Sequence, residues 1–129
     1  MDHKINIIVP VYNAEQWISK NLESILSQTY SNWSAIVIND ASTDSTGDII
    51  SDMVGGDNRF VIVNRDVNVG PLANLVYGTN TLCTDDEDII ITVDGDDWLE
   101  NENVLSYINN VYNDDGVLVT PWIVTGKLN

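Results

Sequence analysis

The sequence predicts an α/β fold, a mainly parallel sheet with helices on both faces, and three observations lead to it. Short runs of β-branched apolar residues alternate with longer stretches whose apolar positions recur at helical spacing. The alternation continues along the chain, which calls for right-handed crossovers between parallel strands. Polar and acidic residues collect directly behind the runs, at the carboxyl ends of the expected strands, where open α/β sheets bind ligands.

The elements follow in order. Ile5 to Val11 is the first strand and ends in Pro10-Val11-Tyr12-Asn13, with Asn13 placed to cap the next helix. Trp17, Ile18, Leu22, Ile25 and Leu26 then recur at helical spacing, with Lys20, Asn21, Glu23 and Ser24 between them. A second strand, Trp33 to Asn39, ends in Asp40 and a polar loop, Ala41 to Gly47, whose hydroxyls and carboxylates suit a helix start. That helix carries Ile49, Ile50, Met53 and Val54 and stops at Gly55-Gly56. Phe60 to Asn64 reads as a third strand, and Gly70-Pro71 opens a helix through about Leu82. The fourth strand, Asp88 to Val93, contains the unbroken run Ile89-Ile90-Ile91-Thr92-Val93, the composition of a strand buried on both faces. A helix from about Asn101 to Tyr112, a turn at Asp114-Asp115-Gly116 and a last strand, Val117 to Thr120, complete the pattern. Pro121 to Asn129 reads as a tail, or as the place where a longer chain was cut.

Composition narrows the function. The chain has 129 residues and is 43% apolar, which fits one globular domain with a real core. Twenty acidic residues against five basic ones give a net charge of -15, which argues against binding nucleic acid or an anionic membrane through a basic patch. A phosphorylated ligand would need a metal ion or backbone N–H groups to offset its charge. The single cysteine, Cys83, precludes an internal disulfide and suggests a reducing compartment; its ordinary role is a small core residue near a helix end. The one histidine, His3, argues against a His-based triad or a histidine zinc site. Neither Gly-x-Gly-x-x-Gly nor Gly-Lys-Ser/Thr occurs, which disfavours dinucleotide oxidoreductases and P-loop nucleotidases. The apolar runs are too short to span a bilayer, and Met1 to Lys4 leads into a strand rather than a signal-peptide core, so the expectation is a soluble cytoplasmic protein with no transmembrane segment.

The most informative feature is Asp94-Gly95-Asp96-Asp97, directly behind the fourth strand and followed by Trp98 and Leu99, which return to the core. Carboxylates so crowded repel one another unless a cation or hydrogen-bond donors neutralise them. A hard divalent ion with oxygen ligands answers that need, with Gly95 allowing a tight turn; the ordinary alternative is an acidic surface turn. If the first, second and fourth strands are neighbours, Pro10 to Asn13, Asp40 and the acidic loop line one crevice. There Asp40 could accept hydrogen bonds from a ribose or a base, and Tyr12 could lie against a base ring. Each has an everyday counterpart, Asp40 as a loop or capping residue and Tyr12 as a rim aromatic.

Together the segments Ile7 to Asn13, Ser24 to Tyr30, Ile38 to Thr46 and Asp94 to Asp97 resemble, in kind, order and spacing, the inverting family 2 glycosyltransferases with a Rossmann-like GT-A fold. The likeness runs from about Lys4 to about Val119 and covers the donor-binding half of such an enzyme. It implies that Asp40 contacts the uracil or other base, or its ribose, with Pro10, Val11, Tyr12 and Asn13 bordering the nucleotide. It implies that Asp94 and Gly95 face the ribose or phosphates, and that Asp96 ligates Mn²⁺ or Mg²⁺ bridging the diphosphate, with Asp94 and Asp97 completing the metal site. The donor is then a nucleotide-diphosphate sugar, a UDP-sugar first, and the acceptor a saccharide or other hydroxyl. The metal stabilises the leaving diphosphate.

The sequence departs from the family pattern twice. An Ala-Arg-Asn triplet common after Asn-x-Gly, here Asn68-Val69-Gly70, is replaced by Asn74-Leu75-Val76, so the donor-side arginine has no counterpart at that place. The family's catalytic Asp or Glu lies well beyond the acidic motif, and no residue is assigned to it. The expectation is one GT-A-like donor-binding domain over 1–129, C-terminally truncated or minimal. A non-catalytic nucleotide-sugar-binding module stands beside it as an alternative. A phosphoryl-transfer enzyme with Asp94 as nucleophile ranks last, since only Lys127 follows as a basic residue.

Overall fold

A computed structural model describes residues 1–115 of the chain. Strand β1 (Ile5–Val11) is central, between β2 (Trp33–Asn39) and β4 (Ile89–Thr92), and β3 (Phe60–Asn64) lies outside β2, giving the order β3-β2-β1-β4. All three pairings are parallel, in registers that set Ile5 beside Trp33 and Ile89, and Ala35 beside Phe60. The first, second and fourth strands are therefore neighbours, the condition for their three end loops to meet.

Every residue of β1 is buried, because helices cover both faces of the sheet. Ile5, Ile7, Val9 and Val11 pack on one side with α1 (Ile18–Leu26), α2 (Thr46–Val54) and α4 (Val104–Asp115). Ile8, Ile36 and Ile38 face the other side, under Leu75 and Leu82 of α3 (Pro71–Leu82). Alternation along one strand thus feeds two cores. A Cβ on Gly78 would lie 2.8 Å from Ile8 Cγ2 and 3.2 Å from Ile36 Cγ2, so the missing side chain is what lets α3 lie so close to the sheet.

Four expectations are corrected. Asn13 does not cap α1: an extra turn intervenes, in which the Trp17 and Ile18 amides donate to Ala14 O, and the helix starts at Ile18 with no side-chain cap. β4 is not buried throughout: it is an edge strand among the described residues, with Ile90 half-buried and Thr92 exposed. Trp98 is only half-buried and stacks on Trp17, while Leu99 does enter the core. The last helix begins later and runs through Asp115, so Asp114 and Asp115 are not a turn. Its final turns are tied to the amino terminus, with His3 N donating to Asn109 Oδ1 and Asn113 Nδ2 to Met1 O. The expected strand at Val117 to Thr120 and the segment after it lie outside the described residues.

Gly78→Val should destabilise the fold by roughly 1–3 kcal/mol through overpacking against Ile8 and Ile36. The check is the urea midpoint; an unchanged or higher midpoint would contradict the close approach of α3.

Candidate functional site

Three strand ends meet in one cleft of about 300 Å³. Pro10, Val11, Tyr12 and Asn13 line it from β1, Asp40 from β2, and Asp94, Gly95 and Asp96 from the loop after β4. Asp97 stands behind the wall but joins the acidic group: carboxylate oxygens of Asp94, Asp96 and Asp97 lie within 4.8 Å of one another. Ala14, Trp17, Pro71 and Asn74 also line the cleft and were not anticipated. Trp17 had read as a core position of a helix that in fact starts one residue later. Asn74 did carry a signal, since it opens the Asn74-Leu75-Val76 segment that stands where the resemblance puts the Ala-Arg-Asn triplet, though no role was given to it.

The loops after β1 and β2 are zipped into one unit. Asp40 N donates to Val11 O, Asn13 N to Ser42 Oγ (3.0 Å), and Thr43 N to Asn13 Oδ1 (2.8 Å). Ala14 N donates to Thr46 Oγ1, and Thr46 N in turn to Asp44 Oδ1 at the start of α2. Asn13 and Ala41 both take left-handed backbone, at φ 48° and 65°. Asn tolerates that region; for Ala41 it costs on the order of 1–2 kcal/mol, strain held at the mouth of the cleft.

Asp40 is buried and satisfied by the segment ahead of α3. Asn68 Nδ2 donates to its carbonyl, Val69 N to Oδ1 and Gly70 N to Oδ2, the last two at 2.9 Å. Gly70, at φ 92°, supplies the backbone turn that brings these successive amides to one carboxylate. Burial by itself would raise the Asp40 pKa. The Val69 and Gly70 amides, the Asn74 side chain and the Arg65 charge outweigh it and hold the carboxyl below its ordinary value. A carboxylate offers about four lone-pair positions, so two accepted amides leave acceptor capacity on Asp40 at the cleft.

The acidic loop is held by α1. Asn21, fully buried, donates through Nδ2 to the carbonyls of Asp94 (3.0 Å) and Asp97 (2.9 Å). One turn on, Ser24 Oγ accepts from Leu99 N, and Gln28 donates to Asn101 O and accepts from Leu105 N. Asn21 and Ser24 on the helix and Gln28 just beyond its end form a polar row that clamps the chain from the acidic loop into α4. Asp97 N to Asp94 O closes the turn, and Gly95 N donates to Pro10 O. Gly95 was expected to supply backbone freedom, but Gly70 is the one glycine with positive φ among the described residues. What Gly95 supplies is space, since a Cβ there would sit 2.3 Å from Val11 Cγ2.

Asp94 stands exposed at the cleft mouth, yet the protein around it displaces part of its water, and Asp97 and Asp96 add like charge. Together these raise its carboxyl above the ordinary range. Among the described basic side chains, Arg59 is paired with Asp57, Arg65 donates to Asn74, and Lys20 sits 4.1 Å from the centre of the Trp98 ring. Oxygen donors converging from one tight turn, in mutual repulsion, fit a hard divalent cation.

Comparison with known proteins gives the family and the fold. Residues 6–129 match the pattern of the family described as Glycosyl transferase family 2. Glycosyltransferase GlyA of Streptococcus pneumoniae is 37% identical over 112 residues, covering 87% of this chain and 15% of that protein. The structure of Staphylococcus aureus TarS 1–349 in complex with UDP-GlcNAc superposes with a TM-score of 0.74 at 24% identity, covering 88% of this chain and 32% of that 1–349 chain. Mannosyltransferase PcManGT from Pyrobaculum calidifontis, in complex with GDP-Man and Mn²⁺, gives a TM-score of 0.74 at 22% identity and is matched over 33% of its length. The chain therefore spans a third or less of each of these proteins, and at such identities the two structures speak for the fold, the GT-A arrangement expected from the resemblance.

The raised Asp94 pKa has a consequence for stability. A carboxyl whose folded pKa lies above its unfolded value favours the fold only while protonated, and that contribution is lost as pH rises through the folded pKa. Asp94→Asn should therefore raise the melting temperature at pH 7, with the gain fading as pH falls through the raised folded pKa and gone by about pH 3.9, the ordinary aspartate value. Melting curves across pH check this; a loss of stability at pH 7 would contradict repulsion in the loop.

Proposed function

The chain belongs to glycosyl transferase family 2, and on that premise we propose that it is the donor-binding domain of a metal-assisted glycosyltransferase. The observation that carries the proposal is the convergence of Asp40 and the Asp94 and Asp96 carboxylates on one cleft, with Asp97 grouped beside the latter two, one group suited to a base or ribose and the other to a cation. A nucleotide-diphosphate sugar has its two ends matched to these groups. Its base and ribose lie along Pro10, Val11, Tyr12 and Asn13, with Asp40 accepting a hydrogen bond and the half-exposed Tyr12 ring against the base. Its diphosphate points toward Asp94, Gly95 and Asp96.

Asp94, Asp96 and Asp97 would hold Mn²⁺ or Mg²⁺, which when bound offsets the charge of the diphosphate as it leaves. The protein's own part is to keep these carboxylates gathered by the Asn21 clamp and to bring the donor against the cleft wall. The acceptor is a saccharide or another hydroxyl compound. A UDP-sugar is the donor we favour, which the TarS complex with UDP-GlcNAc supports by its shared fold. A cytoplasmic site of action fits the single cysteine; no helix among the described residues is long and apolar enough to cross a membrane. The second reading is a module that binds the nucleotide sugar without transferring it.

A thermal-shift panel of UDP-, GDP-, CDP- and TDP-sugars, each with and without Mn²⁺, tests the proposal. At a hundredfold excess over Kd a bound ligand stabilises by about 2.7 kcal/mol, a shift of several degrees. A UDP-sugar with Mn²⁺ should give that shift and Asp96→Ala should abolish it. No shift with any member of the panel would contradict the proposal, and steady sugar transfer would eliminate the non-catalytic reading.

A further inference from the structure

A second cavity, of about 290 Å³, adjoins the cleft and shares Asn13 and Trp17 with it; Glu15, Gln16 and Asp44 complete its lining. Trp17 therefore stands between the two spaces, and it is 39% exposed. This large apolar side chain is open to solvent yet firmly held. Its ring stacks on Trp98, with centres 6.2 Å apart and planes at 25°, and Lys20 lies 4.1 Å from the centre of the Trp98 ring. Asn21, which fixes the carbonyls of Asp94 and Asp97, donates from N to Trp17 O at 3.1 Å, and Trp98 follows Asp97 directly. Both indoles are thus set beside the acidic loop. The carboxylates of the second cavity are fixed as well: Asp44 accepts from Glu15 N at Oδ2 and from Thr46 N at Oδ1, and Glu15 accepts from Ser45 N at Oε2. Among the described residues, neither lining contains a Lys or an Arg.

We propose that Trp17 is the platform on which the donor's sugar ring stacks, and that the sugar is a neutral pyranose whose hydroxyls reach Glu15, Gln16 and Asp44 in the second cavity. This rests on the nucleotide-sugar reading of the cleft and adds to it the place and the class of the sugar. A pyranose has C–H bonds projecting from its ring face and hydroxyls around its rim. An aromatic face carries negative potential that meets such C–H hydrogens, and the hydroxyls need polar partners once they leave water. Trp17 with its neighbouring carboxylates and amides offers both kinds of surface in one place. With one face of the indole against Trp98, the exposed part is its other face and its rim. The platform is already rigid, so little ordering is charged against stacking. Carboxylates accept hydrogen bonds from hydroxyls and keep lone pairs beyond those the backbone amides use. They repel a sugar acid, and no basic side chain in either lining offsets that repulsion.

The test is titration calorimetry of the intact protein with UDP, UDP-glucose and UDP-glucuronate, each with Mn²⁺. Trp17→Leu, which keeps apolar bulk against Trp98, should weaken UDP-glucose by about five- to tenfold, the worth of one stacking contact, while UDP stays within about twofold. Trp17→Phe keeps a ring face and should restore most of the loss. The unaltered protein should bind UDP-glucose more tightly than UDP-glucuronate. If Trp17→Leu fails to fold, saturation-transfer NMR on the unaltered protein takes its place: irradiation of aromatic protons should saturate the pyranose C–H protons of UDP-glucose as well as the uracil protons. Failure of the unaltered protein to bind UDP and UDP-glucose overturns this inference together with the nucleotide-sugar reading. With UDP bound, four results overturn this inference alone: equal weakening of UDP and UDP-glucose by Trp17→Leu, no weakening of UDP-glucose, UDP-glucuronate bound as tightly as UDP-glucose or tighter, or a pyranose that receives no saturation.

Discussion

Like charges held at close range would open a flexible loop, and in this chain something must resist that: Asp94, Asp96 and Asp97 keep carboxylate oxygens within 4.8 Å of one another. The resistance comes from a neutral, buried amide. Asn21 ties the carbonyls of Asp94 and Asp97 to helix α1, so the backbone of the loop is fixed although its side chains repel. Gly95 completes the restraint from the other side by lying flat against Val11, where any side chain would collide. The repulsion is thereby kept within the loop, where it adds to partial burial in raising the pKa of Asp94. A loop with this arrangement is poised for a counter-charge, and a cation has less unfavourable charge to overcome than if it had first to gather the ligands itself.

The same logic of restraint runs through the rest of the cleft. β1 is buried on both faces, so its end has a fixed position, and the loops after β1 and β2 are zipped together across it. Asp40 is then held from the third side by Asn68, Val69 and Gly70. Each strand end contributes a polar group, and each group is immobilised by an element other than the strand that carries it: α1 for the acidic loop, the approach to α3 for Asp40, and the β2–α2 loop for Asn13. Such cross-bracing is what a pre-organised binding cleft requires, because ordering that is complete before binding is not charged against affinity.

How much of this could be read from the residues divides along physical lines. The strands were legible because β-branched runs such as Ile36-Val37-Ile38 and Ile89-Ile90-Ile91 have few other places to go, and the parallel order followed from their alternation with helices. The acidic loop and Asp40 were legible because Asp behind an apolar run stands out. Asn21 and Asn74 were not: a polar residue in an amphipathic helix looks like part of its wet face, and periodicity does not reveal that Asn21 is fully buried against carbonyls seventy-odd residues away. Asn13 was misread for a related reason, since a residue suited to a cap is equally suited to left-handed backbone, and the extra turn at Ala14 decided between the two. The run of α4 through Asp115 reflects tertiary ties from Asn109 and Asn113 to the amino terminus, which local propensity does not encode.

The proposed site makes one spatial claim, that a single cleft takes a nucleotide at Asp40 and a divalent cation at the acidic loop. A crystal of the protein grown with UDP and Mn²⁺, with the anomalous signal of manganese recorded, tests it directly. The expected result is one manganese peak at the carboxylate oxygens of the Asp94, Asp96 and Asp97 group, next to the diphosphate, with the uracil ring against Tyr12 and beside Asp40. Manganese on other carboxylates, or a base lodged away from Asp40, would contradict it.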